Sequence, residues 1–253
     1  ELERGIDMSR RPAALGLTSL PRRTTLLTSQ SLEIMGTSDR TAAPPRQRRK
    51  ETRPQELLDA ALDLFVDKGF AATRSEEVAQ RAGVSKGTLY LYFDSKDALF
   101  KAVIEEGVVP LFEEFEAKLE TLRDDPERLL REILLGWWAK VGSTDLGGIG
   151  KLIISEAGNF PEVARYHHDA VIVRWMALLG RAYAIGVERG VFRDMDVETV
   201  RQLVFFPLLM QAVWKNSMSC CDETRSLPDS YFPTYFEMIF RGLRAAPVQE
   251  SRP

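Results

Sequence analysis

From Pro54 onward the apolar positions recur with a helical period. Leu57, Leu58, Ala61, Leu62 and Phe65 stand three to four residues apart, which puts them on one face of a helix. Pro54 suits a first turn, where its missing N–H is no loss, and Gly69 supplies a C-terminal stop. Thr73 and Glu76 have capping-box spacing, predicting a short helix over Val78, Ala79 and Ala82 that Gly83 ends. Ser85 predicts the cap of another short helix, from Lys86 to about Tyr92. Asp94 or Ser95 then caps a fourth, carrying Leu99, Ala102 and Val103.

The remainder follows the same grammar. Asp125-Pro126 opens a helix through Trp137 and Trp138, and Leu146 to Glu156 forms a shorter one weakened by Gly147, Gly148 and Gly150. Pro161 opens a long helix to Arg189, stopped by Gly190. Asp196 caps one running through Trp214, with a kink expected at Pro207. A last helix spans roughly 230–245. Two-residue alternation is nowhere sustained and no internal repeat is visible, so the expected fold class is all-α.

Composition adds limits. The chain has 253 residues, 44% hydrophobic and 28% charged, with a net charge of −3, enough for a sizeable core without crosslinks. An acidic total does not exclude nucleic acid, because binding depends on where the cations sit. Cys220 and Cys221 are adjacent, which is no disulfide framework and suits a reducing cytoplasm. The longest apolar runs, around 103–111 and 203–213, fall short of the roughly 18 residues of a membrane span or are broken by Pro110 and Pro207. Between Ser9 and Leu32 there are arginines and no acid, as in a transit peptide, and the expectation is an extension ahead of a start at Met35. Residues 36–53, with Pro44, Pro45, Arg46, Arg48, Arg49, Lys50 and Arg53, read as a flexible basic arm.

The informative stretch is Gly69 to Phe100. Two short helices joined by Ala82-Gly83-Val84 make a helix-turn-helix, whose second helix can lie in a major groove. Val84 and Leu89 are its inward anchors. Lys86, Thr88, Tyr90 and Tyr92 are left pointing outward, and Gly87 lets the backbone come close to DNA. The run TxxExVAxxAGVSKGTLYxYFxSKxxL, from Thr73 to Leu99, resembles the DNA-binding domain of TetR-type repressors, with a match over about Arg53 to Lys101. Ser75 departs from the family's apolar residue there. The resemblance implies an all-helical homodimer: a helix-turn-helix three-helix head and a C-terminal helical ligand-binding and dimerisation domain. Ligand binding in that family generally releases operator DNA. It also implies DNA contacts from Arg74, Ser85, Lys86, Thr88, Tyr90, Tyr92 and Lys96. Lys96 opens the fourth helix, where a lysine and a free N–H suit a phosphate. Acids slightly outnumber bases within 53–101, so the arm at 46–53 is expected to supply much of the phosphate attraction.

The expected boundaries are a disordered extension with its arm over 1–52, the reading head over 53–101, the body over 102–246 and a flexible tail over 247–253. The body has a fainter resemblance to TetR-type ligand domains in KLIISEAGNFPEVARYHHDAV and GVERGVFRDMD. Aromatic and Met residues crowd it, and as a group they predict a pocket for a small apolar or aromatic molecule. The expected walls are Trp137, Trp175, Phe206 and Met210, with Glu156, His167 and Gln211 as polar anchors. His167 and His168 are adjacent and point about 100° apart on a helix, so no metal site is expected, and no cofactor. Gly147, Gly148, Gly150 and Lys151 miss the Walker spacing, and neither GxGxxG nor GxSxG occurs, so an enzyme is not expected. The helices at 197–218 and 230–245 are expected to pair with their copies in a second subunit. The sequence therefore reads as a cytoplasmic DNA-binding transcriptional regulator without membrane attachment. It is expected to be a repressor released from a palindromic operator by a small apolar ligand, the alternatives being a helical adaptor that kept the fold without DNA binding and, behind it, an enzyme.

Overall fold

The computed structural model describes residues 45–218, 221 and 227–246, and every regular element among them is a helix. The expectations for residues 1–44, for Cys220 and for the tail at 247–253 lie outside the described residues. Among the described residues, eleven α-helices follow in chain order. The head holds α1 (Pro45–Lys68), α2 (Ser75–Arg81) and α3 (Lys86–Tyr90), and α4 (Lys96–Gly107) leads out of it. The body holds α5 (Leu111–Thr121), α6 (Pro126–Trp137), α7 (Gly148–Glu156), α8 (Pro161–His167), α9 (Val173–Glu188), α10 (Val197–Ser217) and α11 (Tyr231–Leu243). Wide π-helical turns extend α6 over Trp138–Gly142 and join α8 to α9 over His168–Ile172.

Helix starts follow local capping chemistry. Ser85, Ser95, Asp125 and Asp196 each accept a hydrogen bond from the backbone N–H three residues on, at 3.1, 3.0, 3.1 and 2.8 Å. Two expectations change. First, α1 begins at Pro45 and passes through Pro54, so 45–53 continue the helix instead of forming a flexible arm. The segment is rich in Arg, Gln, Glu and Lys, all good helix formers, and proline at the first turn is pre-set for helix. Second, Thr73 does not cap α2. It is buried, and its hydroxyl donates back to the carbonyls of Leu64 at 3.0 Å and Gly69 at 2.8 Å, closing the end of α1. Arg74 takes the cap position, where its N–H meets Glu77 at 3.3 Å in place of the expected Glu76.

One hydrophobic cluster runs through head and body, from Leu57 to Leu243. Phe65, Phe70 and Phe100 meet edge-on or tilted in the head, with ring centroids 5.3–5.9 Å apart, and Phe70 also touches Phe160 of the body at 4.9 Å. The stretch Pro161–Glu188 is long and apolar enough to cross a membrane by length and composition, although no uninterrupted apolar run marks it in the sequence. Its polar residues are spaced within the helix, and its face of Trp175, Leu178, Leu179 and Ala182 is packed in the core against α5, α6 and α10.

Candidate nucleic-acid interface and ligand cavity

The turn between α2 and α3 is closed by Gly83, at φ +67°, a conformation that glycine adopts without cost. Val84 then donates to the Ala79 carbonyl at 2.9 Å, and Val78, Ala79 and Leu89 are buried together beneath the turn. With Leu89 as the anchor, the other face of α3 is left outside. Ser85 Oγ receives the Thr88 N–H at 3.1 Å and lies 2.9 Å from the Thr88 hydroxyl. Lys86 forms an ion pair with Glu76 across the two helices, and its ammonium stands 5.8 Å from the Tyr90 ring. That hydrogen bond from Lys86 holds the Glu76 carboxyl below its usual range and raises the Lys86 ammonium above its own. Gly87 and Tyr90 are exposed, as is Arg74 at the start of α2.

Two expected DNA contacts are placed differently. Tyr92 is half-buried and packs against the core beside Phe93. Lys96 turns inward, and its ammonium donates to the carbonyls of Phe70 at 2.6 Å, Ala71 at 3.3 Å and Thr73 at 3.2 Å. It also lies 4.4 Å from the Phe70 ring centroid, and burial lowers its pKa. Lysine at this position therefore ties the α1–α2 loop to α4. Leu91, 83% exposed at the end of α3, joins the outward face without having been foreseen.

Within the body lies a cavity of about 350 Å³, bounded by α6, α7, α9 and α10. Its walls are almost wholly apolar. Trp137, Trp175 and Phe205 form one ring cluster with centroids 4.8–6.1 Å apart. Val108, at the end of α4, reaches the same space.

The family model for bacterial regulatory proteins of the tetR family matches residues 57–103, the segment that builds this head. Residues 57–103 thus carry a DNA-binding head of the tetR type. The HTH-type transcriptional activator FasR of Mycolicibacterium smegmatis is 41% identical over 80 residues, covering 32% of this chain and 36% of FasR. The fatty acid metabolism regulator protein of Bacillus subtilis is 23% identical over 159 residues, covering 62% of this chain and 80% of that protein. This chain thus spans little more than a third of FasR and most of the Bacillus regulator. The fold matches a Bacillus subtilis FadR structure in complex with stearoyl-CoA, at 17% identity and a TM-score of 0.61, over 74% of this chain and 98% of that one.

The structure gathers Trp137, His167, Trp175 and Phe206 around the cavity, as the sequence suggested. Glu156, Met210 and Gln211 lie elsewhere. Met210 points outward from α10, one residue and so about 100° beyond Leu209, which does line the space. Gln211 hydrogen-bonds Tyr231. Glu156, the last residue of α7, accepts the N–H of Ala71 at 3.2 Å and so grips the loop between α1 and α2. Phe205, one of the crowded aromatics, lines the space too, and Ile149, Ile153, Val171, Gln202 and Leu209 are lining residues that the sequence reading missed.

Proposed function

We propose that this chain is a tetR-type regulator that binds an inverted-repeat operator as a dimer and is released, as a repressor, when a small apolar molecule fills the body cavity. The observation that carries this reading is the position of α7. Ile149 and Ile153 face the cavity, while Glu156 at the end of the same helix holds Ala71 of the head. A ligand that moves α7 therefore moves the support of the reading helix. Val108 gives a second route, because α4 begins at the Lys96 tie and ends on the cavity wall. Such coupling needs a ligand that prefers the DNA-incompetent arrangement, and about 1–3 kcal/mol is typical.

Several features support the DNA-reading part. Ser85, Lys86, Gly87, Thr88 and Tyr90 share one exposed short helix, with Arg74 at the start of the helix before it. Leu203, Phe206, Met210 and Trp214 recur along an exposed face of α10, which suits pairing with a second copy. The FadR neighbour holds stearoyl-CoA, and the walls here suit an acyl chain or another apolar group of similar breadth. A regulator of this kind acts where the chromosome is, in the cytoplasm.

The test is selection of bound fragments from genomic DNA, followed by titration of the selected duplex with wild-type protein and Tyr90→Ala. The expected result is a site with dyad symmetry and a roughly ten-fold or greater loss of affinity for the variant. Failure to enrich any sequence would leave a helical adaptor as the reading.

A further inference from the structure

Leu91 ends α3, and at 83% exposure it is the most exposed large apolar side chain among the described residues. A single leucine in water is ordinary on most surfaces. Its register on the reading helix gives this one a place. Its backbone is helical, at φ −72° and ψ −21°, and its N–H donates to the Gly87 carbonyl one turn back at 3.2 Å. At about 100° per residue, Gly87 and Leu91 each stand roughly 160° around the helix from Leu89, the buried anchor. The two therefore form the outermost ridge of α3, opposite the core. The run that resembles TetR-type heads leaves position 91 open, so the resemblance gives Leu91 no role.

Chemistry then narrows what this ridge can read. The polar groups of α3 lie to its sides, where Glu76 holds Lys86 and Ser85 meets Thr88. Gly87 has no side chain and Leu91 only a branched hydrocarbon, so the ridge offers a base neither a side-chain donor nor an acceptor. From Ser85 to Leu91 the helix rises about 9 Å, within the roughly 12 Å width of a major groove. Gly87 lets the backbone approach the base edges, and the leucine fills the space one turn on. Among the groups that base pairs present in that groove, the thymine C5-methyl is the apolar one.

Resting on the DNA-reading head proposed above, we propose that Leu91 is a specificity-determining residue that reads the C5-methyl of one thymine in each operator half-site. Contact removes the leucine and the methyl from water together, which favours thymine over the other three bases at that position. The base preference there comes from the methyl alone, without a hydrogen bond.

Deoxyuridine in place of thymidine tests this, because it deletes the methyl and keeps the base pair. Each thymine of the selected operator is replaced in turn, in both half-sites at once, and binding of the full chain is followed by fluorescence anisotropy. Replacement at one position is expected to weaken wild-type binding on the order of ten-fold, from two buried methyl groups. Leu91→Ala should lose a similar factor on the thymine duplex and nothing further when uracil stands at that position. Its urea midpoint should match the wild type, because the site is exposed. If the wild type shows no uracil penalty, or every penalty persists in Leu91→Ala, the methyl contact is overturned. If Leu91→Ala weakens binding equally on operator and unrelated DNA, the side chain belongs to the sugar-phosphate backbone and the proposal falls. A genomic selection that enriches no sequence removes the DNA-reading head and the proposal together. Once a dyad site is enriched, the other outcomes bear on Leu91 alone.

Discussion

His167 and His168 are neighbours with opposite surroundings. His168 is exposed and hydrogen-bonds Asp169 at 2.8 Å, whereas His167 is buried at the cavity wall. Burial lowers the His167 pKa from 6.5 to about 4, so the unfolded chain takes up a proton first as pH falls. The stability from keeping this ring neutral is present above about 6.5 and is lost between there and about 4, at up to about 1.4 kcal/mol per pH unit. Urea unfolding at pH 7 and pH 5 should show that loss in the wild type and a smaller one in His167→Gln. Equal slopes would mean that the folded ring accepts a proton freely. Gly186 illustrates a different constraint. A Cβ there would lie 1.9 Å from the Phe192 ring, which stacks at 6.1 Å on Tyr183 and at 6.4 Å on Phe240. Gly186→Ala should therefore cost about 1–3 kcal/mol by overpacking, read as a lower urea midpoint at unchanged slope. A neutral substitution would mean that the ring has room to move.

At the scale of elements, what could be read from sequence was what is decided within one turn. Caps at Ser85, Ser95, Asp125 and Asp196 depend on a side chain and an N–H three residues away, and the sequence displays both. Thr73 has the same chemistry, but its hydroxyl chose carbonyls of the preceding helix, a choice that tertiary packing makes. Periodicity likewise identifies α10 as apolar without saying which stripe meets the cavity, so Met210 and Gln211 carry the same signal as Leu209, which lines it. Lys96 is the sharpest instance, because a lysine at a helix start suits a phosphate and a carbonyl cluster equally well. The two roles separate by salt. As a tie for the α1–α2 loop, Lys96→Met should weaken operator binding with an unchanged slope of log affinity against log salt, and should speed amide exchange in residues 70–73. A slope reduced by about one would assign the side chain to a DNA phosphate instead.

At the scale of the whole molecule, the outward face of α10 is the surface proposed for assembly. Leu203, 63% exposed, stands in line with Phe206 and Met210. Leu203→Glu should yield a monomer by light scattering at micromolar concentration and lose most operator affinity, because two heads on one dyad act together at sites about 34–36 Å apart or a multiple of that. A variant that stays dimeric would move the interface to another face. Linkage adds a condition on any effector: a compound that releases DNA must bind the DNA complex more weakly by the same factor. The two π-helical turns carry a further consequence. Val141 lies on one and Val171 and Ile172 on the other, and all three line the cavity. Such a turn accommodates an extra residue inside an otherwise continuous helix. At the turn that joins α8 to α9, one codon gained or lost is expected to change the bore of the chamber while α9 keeps its register, so the proposed sensing site can be retuned without disturbing the proposed reading head.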